Sequence, residues 1–151
     1  MSVVLDANVV AALVIPLPYS DQAQRWMNHW QRDGVALVAP VLLQYELVTV
    51  LRKAIVEGIM TSLEAVEALD ALLAVGVEIV APTRVLHERA LYWSDQLGQR
   101  LAYDAQYVAL AEHLRGELWT ADRRLANGAR QAGAAWVRWI GEDVESRLQQ
   151  P

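Results

Sequence analysis

The chain has no cysteine among its 151 residues. This absence excludes disulfide bonds, thiolate nucleophiles, cysteine-ligated zinc and iron–sulfur clusters. It is typical of a reducing compartment, and any bound metal must be held by oxygen or imidazole ligands. The three histidines are scattered along the chain without the spacing of a zinc site, so oxygen ligands are favoured.

Long apolar runs and an excess of positive charge are also missing. No apolar stretch approaches the roughly 20 residues needed to span a bilayer. Asp6 and Asn8 interrupt the first apolar stretch, so we expect neither a secretory signal nor a transit peptide. The formal net charge of -5 gives no overall positive field, and contact with RNA would depend on local Lys and Arg side chains or on cations. We predict a soluble cytoplasmic protein.

Short runs of β-branched and apolar residues alternate with longer segments of helical periodicity. This alternation predicts one domain with a three-layer α/β/α fold around a central, mainly parallel sheet of about five strands. The predicted strands are 3–5, 36–39, 78–80, 117–120 and 136–138. The predicted helices are 8–14, 21–32, 41–56, 62–75, 83–97, 104–115 and 123–131. We expect residues 1–140 to form the domain and residues 141–151 to form a peripheral C-terminal tail.

Four acidic residues stand near the ends of predicted elements. Asp6 directly follows the first strand, and Asp122 follows the fourth strand after Thr120 and one alanine. Asp104 opens the helix before the fourth strand, and Glu46 lies inside the helix after the second. Ligands of open α/β sheets bind outside the carboxyl ends of the strands, so these positions are where chemistry is expected.

Each acid also has a purely structural explanation. Asp6, Asp104 and Asp122 all stand where a predicted helix begins, and an aspartate there can accept hydrogen bonds from free backbone N–H groups. Glu46 is harder to explain in this way, because apolar residues stand four positions before and after it. Glutamate is rarely buried on such an apolar face without a partner.

Carboxylates that are buried together lose hydration and repel one another. A divalent cation compensates for both effects. Oxygen ligands, with no cysteine and no histidine nearby, favour a hard ion such as Mg²⁺ or Mn²⁺ over zinc. The sequence leaves open whether one ion or two would bind.

Four segments resemble parts of the PIN domain family. Residues 4–10 (VLDANVV) resemble its opening, and residues 45–53 (YELVTVLRK) resemble its acidic helix. Residues 101–111 (LAYDAQYVALA) and 118–125 (LWTADRRL) resemble its third and fourth acidic segments. All four occur in the right order over most of the chain, and the pairing of the last two is the most specific part of the resemblance.

The resemblance implies a PIN-like fold and, from the size and these segments, a VapC-type toxin of a bacterial toxin–antitoxin pair. It implies an Mg²⁺-dependent endoribonuclease that forms a homodimer and is inhibited by a small cognate VapB-type antitoxin. A metal-activated water would then hydrolyse the RNA phosphodiester by attack on phosphorus.

The resemblance also assigns roles by position. The residues with catalytic roles are Asp6, Glu46, Asp104 and Asp122. The metal ligands among them are Asp6, Asp104 and Asp122, and the supporting oxygens come from Asn8 and Thr120.

Three other interpretations fit parts of the pattern. A haloacid-dehalogenase-like phosphatase resembles this start but carries Asp-x-Asp, and here the second position is Asn8. A receiver domain needs an acidic doublet after the first strand and a lysine after a late strand, and neither is visible. A catalytically inactive PIN-like module that binds RNA or protein stays open, although the presence of all four acids argues against it.

Overall fold

The computed structural model describes residues 1–142. Its strands are β1 (Ser2–Leu5), β2 (Ala36–Pro40), β3 (Glu78–Val80), β4 (Glu117–Thr120) and β5 (Val137–Trp139). Its helices are α1 (Ala7–Ala12), α2 (Ser20–Arg32), α3 (Leu42–Val56), α4 (Ser62–Leu73), α5 (Arg84–Gln96), α6 (Tyr103–Leu114) and α7 (Arg123–Gln131). Predicted strand bounds are within one residue of these, and predicted helix bounds are within two.

The described strands form one sheet in the order β3-β2-β1-β4-β5, and every neighbouring pair is parallel. The predicted α/β class and the mainly parallel sheet are therefore confirmed. The chain builds outward from β1 to β3 and then returns to add β4 on the other side of β1. The carboxyl ends of β1 and β4 thus flank the point where the winding reverses, which is where open α/β sheets bind ligands.

Helices cover both faces of the sheet, which confirms the three layers. Alternate strand side chains point to opposite faces, as the pleat requires. In β1, Val3 and Leu5 pack in the core on the side of α1 to α4, whereas Val4 packs in the core on the side of α5 to α7. Both sides of the sheet are buried, which explains why the strands read as continuous apolar runs.

Three tryptophans fill the core on the first face. Trp26 and Trp30 of α2 stack on each other, and the ring centroid of Trp119 of β4 lies 4.1 Å from that of Trp26. The indole N–H of Trp26 donates a 3.2 Å hydrogen bond to the backbone carbonyl of Glu142. This contact ties the last described residue to the core beneath β4.

The predicted C-terminal tail falls mostly on residues 143–151, which lie outside the described residues, so the domain boundary near residue 140 stays a prediction. Among the helices of residues 1–142, none is long and apolar enough to cross a membrane.

Candidate active site

An open cleft of about 580 Å³ lies at the carboxyl ends of β1 and β4. All four acids named from the sequence line it, together with Asn8. Thr120 is fully buried and lies directly behind Asp6, to which it is hydrogen-bonded. The fold therefore brings together six residues from four segments that are widely separated in sequence.

Asp6 is the most deeply buried of the four acids, with 5% of its surface exposed. It occupies the N-cap position of α1, but its side chain makes no capping hydrogen bond. Instead, its Oδ2 accepts a 2.8 Å hydrogen bond from the hydroxyl of Thr120. Burial raises the pKa of Asp6 from 3.8 to about 7, the Thr120 hydrogen bond opposes this rise, and the charges of Asp104 and Glu46 add to it. The helix-capping explanation is therefore wrong for Asp6.

The Thr120 hydroxyl is oriented by three hydrogen bonds. Its oxygen accepts from the side-chain amide of Asn8 at 3.3 Å and from the backbone N–H of Asp122 at 3.0 Å. Because a hydroxyl has only one proton, that proton is left for Asp6. The amide oxygen of Asn8 accepts from the backbone N–H of Ala121 at 3.0 Å, which ties the residues after β1 to those after β4.

Glu46 lies on α3 and is partly buried. Its Oε1 accepts a 2.7 Å hydrogen bond from the hydroxyl of Tyr107 on α6. Burial raises the pKa of Glu46, the Tyr107 hydrogen bond lowers it, and the charge of Asp104 raises it. The pKa of Tyr107 is also raised, by burial and by the charges of Asp6 and Glu46, so the phenol stays protonated as a donor.

Asp104 is the second residue of α6, whose N-cap is Ala102. It is not the N-cap of this helix, and its carboxylate is hydrogen-bonded to a side chain instead, so the capping explanation is wrong here as well. Its Oδ2 accepts a 3.0 Å hydrogen bond from the side-chain amide of Gln99. Burial raises the pKa of Asp104, the Gln99 hydrogen bond lowers it, and the charge of Asp122 raises it.

Asp122 is exposed and differs from the other three acids. It is the N-cap of α7, and its Oδ1 accepts hydrogen bonds from the backbone N–H groups of Arg124 at 2.9 Å and Leu125 at 3.1 Å. The capping explanation is therefore right for Asp122. Since the same side chain lines the cleft, capping and a role in the cleft are compatible for this residue.

Each of the three partly or fully buried acids thus has one side-chain donor of its own, which is Thr120, Tyr107 or Gln99. No ion pair within residues 1–142 includes any of the four acids. The cleft therefore concentrates negative charge that neutral donors only partly compensate. As the side chains stand, no three Asp, Glu or His residues of the described chain are grouped closely enough to hold a metal ion.

Sequence reasoning missed two of these donors. Tyr107 lies three residues after Asp104, on the same face of one helix, and this spacing could have identified it. Gln99 lies in the connection before α6 and carries no pattern that distinguishes it from other polar loop residues.

The family model for the PIN domain matches residues 3–131. The chain belongs to the PIN domain family. A curated relative, Ribonuclease VapC3 of Pyrobaculum aerophilum, is 35% identical over 131 residues, and the match covers 83% of this chain and 93% of the relative.

Solved structures share the PIN fold at lower identity. The crystal structure of VapBC2 from Rickettsia felis bound to a DNA fragment from their promoter has a TM-score of 0.68 and 13% identity. That match covers 92% of this chain and 98% of the other. A toxin–antitoxin complex from Klebsiella pneumoniae has a TM-score of 0.63 and 19% identity, and covers 94% of this chain and 100% of the other. At these identities the likeness shows the fold alone.

Proposed function

We propose that this PIN-domain protein is a metal-dependent endoribonuclease and the toxin of a VapBC-type toxin–antitoxin pair. The observation that carries the proposal is the convergence of four acids on one cleft at the winding reversal of the sheet. The sequence relative named Ribonuclease VapC3 supports RNA as the substrate. The toxin–antitoxin complex of similar fold from Klebsiella pneumoniae supports toxin as the role.

The donor chemistry of the cleft fits a hard divalent cation. The four acidic side chains of the cleft offer only carboxylate oxygens as ligands. Burial raises the pKa of three of them, Asp6, Glu46 and Asp104. A cation would relieve the desolvation and mutual repulsion that cause these shifts. We propose Asp6, Asp104 and Asp122 as its ligands, after the side chains close around it, and Mg²⁺ or Mn²⁺ as the ion. When bound, such an ion polarises the phosphodiester and makes water a stronger nucleophile.

Glu46 is the acid that we assign to proton transfer. One oxygen, Oε1, is held by Tyr107, and its Oε2 has no hydrogen-bond partner within the described chain. A raised pKa brings the carboxylate closer to the basicity that favours proton acceptance near neutral pH. The water oxygen forms a bond to phosphorus, its proton passes to Oε2 of Glu46, and the bond from phosphorus to the leaving ribose oxygen breaks. The leaving oxygen takes its proton from solvent.

Two tyrosines at the mouth of the cleft support a single-stranded RNA substrate. Tyr45 and Tyr103 both line the cleft, and their exposed fractions are 69% and 58%. Exposed aromatic rings are the surfaces on which unstacked RNA bases are bound. Lys53 lines the same cleft and supplies the positive charge that a phosphate backbone requires.

Exposed apolar side chains support the proposed antitoxin and homodimer. Several large apolar residues of α3 and α4 are exposed: Val48, Val56, Leu63, Val66 and Leu73. Apolar faces of this kind mark surfaces for protein partners. We propose that a VapB-type antitoxin and a second copy of the chain cover such surfaces, and that the protein works in the cytoplasm, where its RNA would be found.

The test is cleavage of a mixed RNA pool by the purified protein with Mg²⁺ or Mn²⁺. We expect cleavage that EDTA abolishes and that the Asp6→Asn variant lacks. Asp95→Asn is the matched control, because Asp95 is exposed on α5 and does not line the cleft. Thermal unfolding of each variant would establish that it is folded.

The outcomes separate the candidates. Cleavage by Asp6→Asn at the parent's rate, or cleavage that persists in EDTA, would refute the metal-dependent mechanism. A folded, metal-loaded parent that binds RNA without cutting it would favour the inactive binding module instead.

A further inference from the structure

Gln99 lies in the connection between α5 and α6, and the end of α5 fixes its backbone. Gly98 adopts a left-handed conformation with φ of 63°, which glycine tolerates without strain. The N–H of Gly98 donates to the carbonyl of Asp95 at 3.0 Å, and the N–H of Gln99 donates to the carbonyl of Ser94 at 2.9 Å. This pair of hydrogen bonds is the Schellman ending of a helix. The side chain of Gln99 therefore starts from a fixed point.

The amide of Gln99 has one satisfied end and one unsatisfied end. Its Nε2 donates to Oδ2 of Asp104 at 3.0 Å. Its Oε1 is buried and has no hydrogen-bond partner within residues 1–142. Turning the amide over would place its carbonyl oxygen against a carboxylate oxygen, so the contact with Asp104 requires this orientation.

A buried acceptor without a donor destabilises the folded state. The arrangement of Gln99 is therefore unfavourable for stability on its acceptor side. Its donor end, Nε2, is hydrogen-bonded to a single carboxylate of the cleft, that of Asp104. This asymmetry indicates that Gln99 serves the position of Asp104 rather than the stability of the fold.

A second set of contacts joins α5, which Gln99 follows, to α6, which carries Asp104. Arg89 of α5 donates two 2.8 Å hydrogen bonds to Glu112 of α6, and Trp93 of α5 donates a third at 3.1 Å. A bidentate arginine–carboxylate pair gives strong geometric restraint. These contacts hold the end of α5, which Gln99 follows, against α6, which carries Asp104.

We propose that Gln99 is a positioning residue for the cleft: it anchors one oxygen of Asp104 so that the other is left for the cation. Carboxylates that ligate metals are commonly held in this way by hydrogen bonds from neighbouring groups. This inference rests on the proposed metal-dependent function.

The test is the Mn²⁺ affinity of the full-length protein, measured by titration calorimetry without RNA. Gln99→Met removes both polar ends of the side chain while keeping its length. We expect affinity to fall about 10- to 100-fold, the range typical of such partners. The melting temperature without metal should change little, because removal of the unsatisfied acceptor offsets the loss of the hydrogen bond to Asp104. Gln96→Met is the matched control, since Gln96 is the exposed last residue of α5.

A double-mutant cycle tests whether Gln99 acts through Asp104. In an Asp104→Ala background, Gln99→Met should cause no further loss of affinity. An unchanged affinity in the single variant, or an equal loss in both backgrounds, would overturn the inference. So would a lowered melting temperature with unchanged affinity, which a structural role predicts.

The same data distinguish this inference from the proposed function. A parent that binds Mn²⁺ and cuts RNA, with Gln99→Met equal to it in affinity, contradicts the role of Gln99 alone. A parent that binds Mn²⁺ without cutting RNA contradicts the ribonuclease and leaves the role of Gln99 measurable. A parent that binds no Mn²⁺ contradicts both.

Discussion

The hydroxyl of Tyr107 on α6 donates a 2.7 Å hydrogen bond to Oε1 of Glu46 on α3, 61 positions away in the sequence. Tyr107 is only 1% exposed and Glu46 is partly buried, so the donor side of the bond is shielded from competing water. Short hydrogen bonds to a charged acceptor are among the stronger ones in proteins. The bond therefore fixes the direction in which Glu46 presents its second oxygen.

Replacing Tyr107 with phenylalanine tests this relationship. Because the hydroxyl favours the charged carboxylate, its loss should raise the pKa of Glu46 further. Glu46 must be unprotonated to accept a proton, so a higher pKa means that it becomes active only at higher pH. We expect the acidic limb of the cleavage profile to move to higher pH, with about a tenfold loss of kcat/KM at pH 7, consistent with one hydrogen bond to a charged group.

The measurement is kcat/KM for RNA cleavage as a function of pH. Tyr92→Phe is the control, because Tyr92 lies exposed on α5 and does not line the cleft. A Tyr107→Phe profile that overlays that of the parent would show that Glu46 is oriented without its help.

The burial of Asp6 predicts how stability depends on pH in the absence of metal. The pKa of Asp6 is about 7 in the folded protein against a usual 3.8, so the folded state holds this proton over a range where the unfolded state has lost it. Stability should therefore fall as pH rises from about 4 to about 7 and change little above that. A pKa difference of one unit between the folded and unfolded states corresponds to about 1.4 kcal/mol of unfolding free energy. The difference for Asp6 therefore amounts to a few kcal/mol.

Asp6→Asn should reduce this dependence, because the variant has no proton to lose at this position. It should also be more stable than the parent at pH 8 in EDTA. Glu46 and Asp104 have raised pKa values too, so a smaller slope of the same sign should remain. Urea unfolding between pH 4 and pH 8 measures this, and an Asp6→Asn slope equal to that of Asp95→Asn would contradict the assignment.

Much of the fold could be predicted because local patterns decide it. The strands are buried on both faces, so their short apolar runs stand out between helical segments. The two acids that follow β1 and β4 could be placed at the cleft from the rule for open α/β sheets alone. The depth of burial of each acid could not, because it depends on packing between distant elements.

The two N-cap aspartates differ in a way that the sequence does not reveal. Asp6 and Asp122 both occupy N-cap positions, yet only the side chain of Asp122 makes capping hydrogen bonds to its own helix. Asp6 is instead engaged by Thr120, which lies 114 positions away in sequence. A sequence pattern shows the cap position but not the competing long-range donor. The same holds for Gln99, whose contact with Asp104 depends on how α5 ends.

Asp122 allows its two roles to be separated by a pair of variants. Asparagine caps helices about as well as aspartate, so Asp122→Asn should keep the stability of the parent while losing a negative charge from the cleft. Alanine removes the cap, so Asp122→Ala should also lose about 1 kcal/mol of unfolding free energy. We expect both variants to lose cleavage and only the second to lose stability. Full cleavage by Asp122→Asn would show that this residue serves as a cap alone.

Lys53 gives the sharpest test of how RNA meets a chain whose formal net charge is -5. Its side chain lines the cleft, and no ion pair engages it within residues 1–142. A lysine that contacts phosphate releases counterions on binding, so its removal should weaken binding and lower the salt dependence of affinity. For Lys53→Gln we expect a several-fold higher KM, little change in kcat, and a slope of log affinity against log salt that is smaller by about 1.

The control is Arg52→Gln, because Arg52 is next in the chain but does not line the cleft, and it should change none of these quantities. Equal effects of the two substitutions would mean that RNA responds to overall charge rather than to this position.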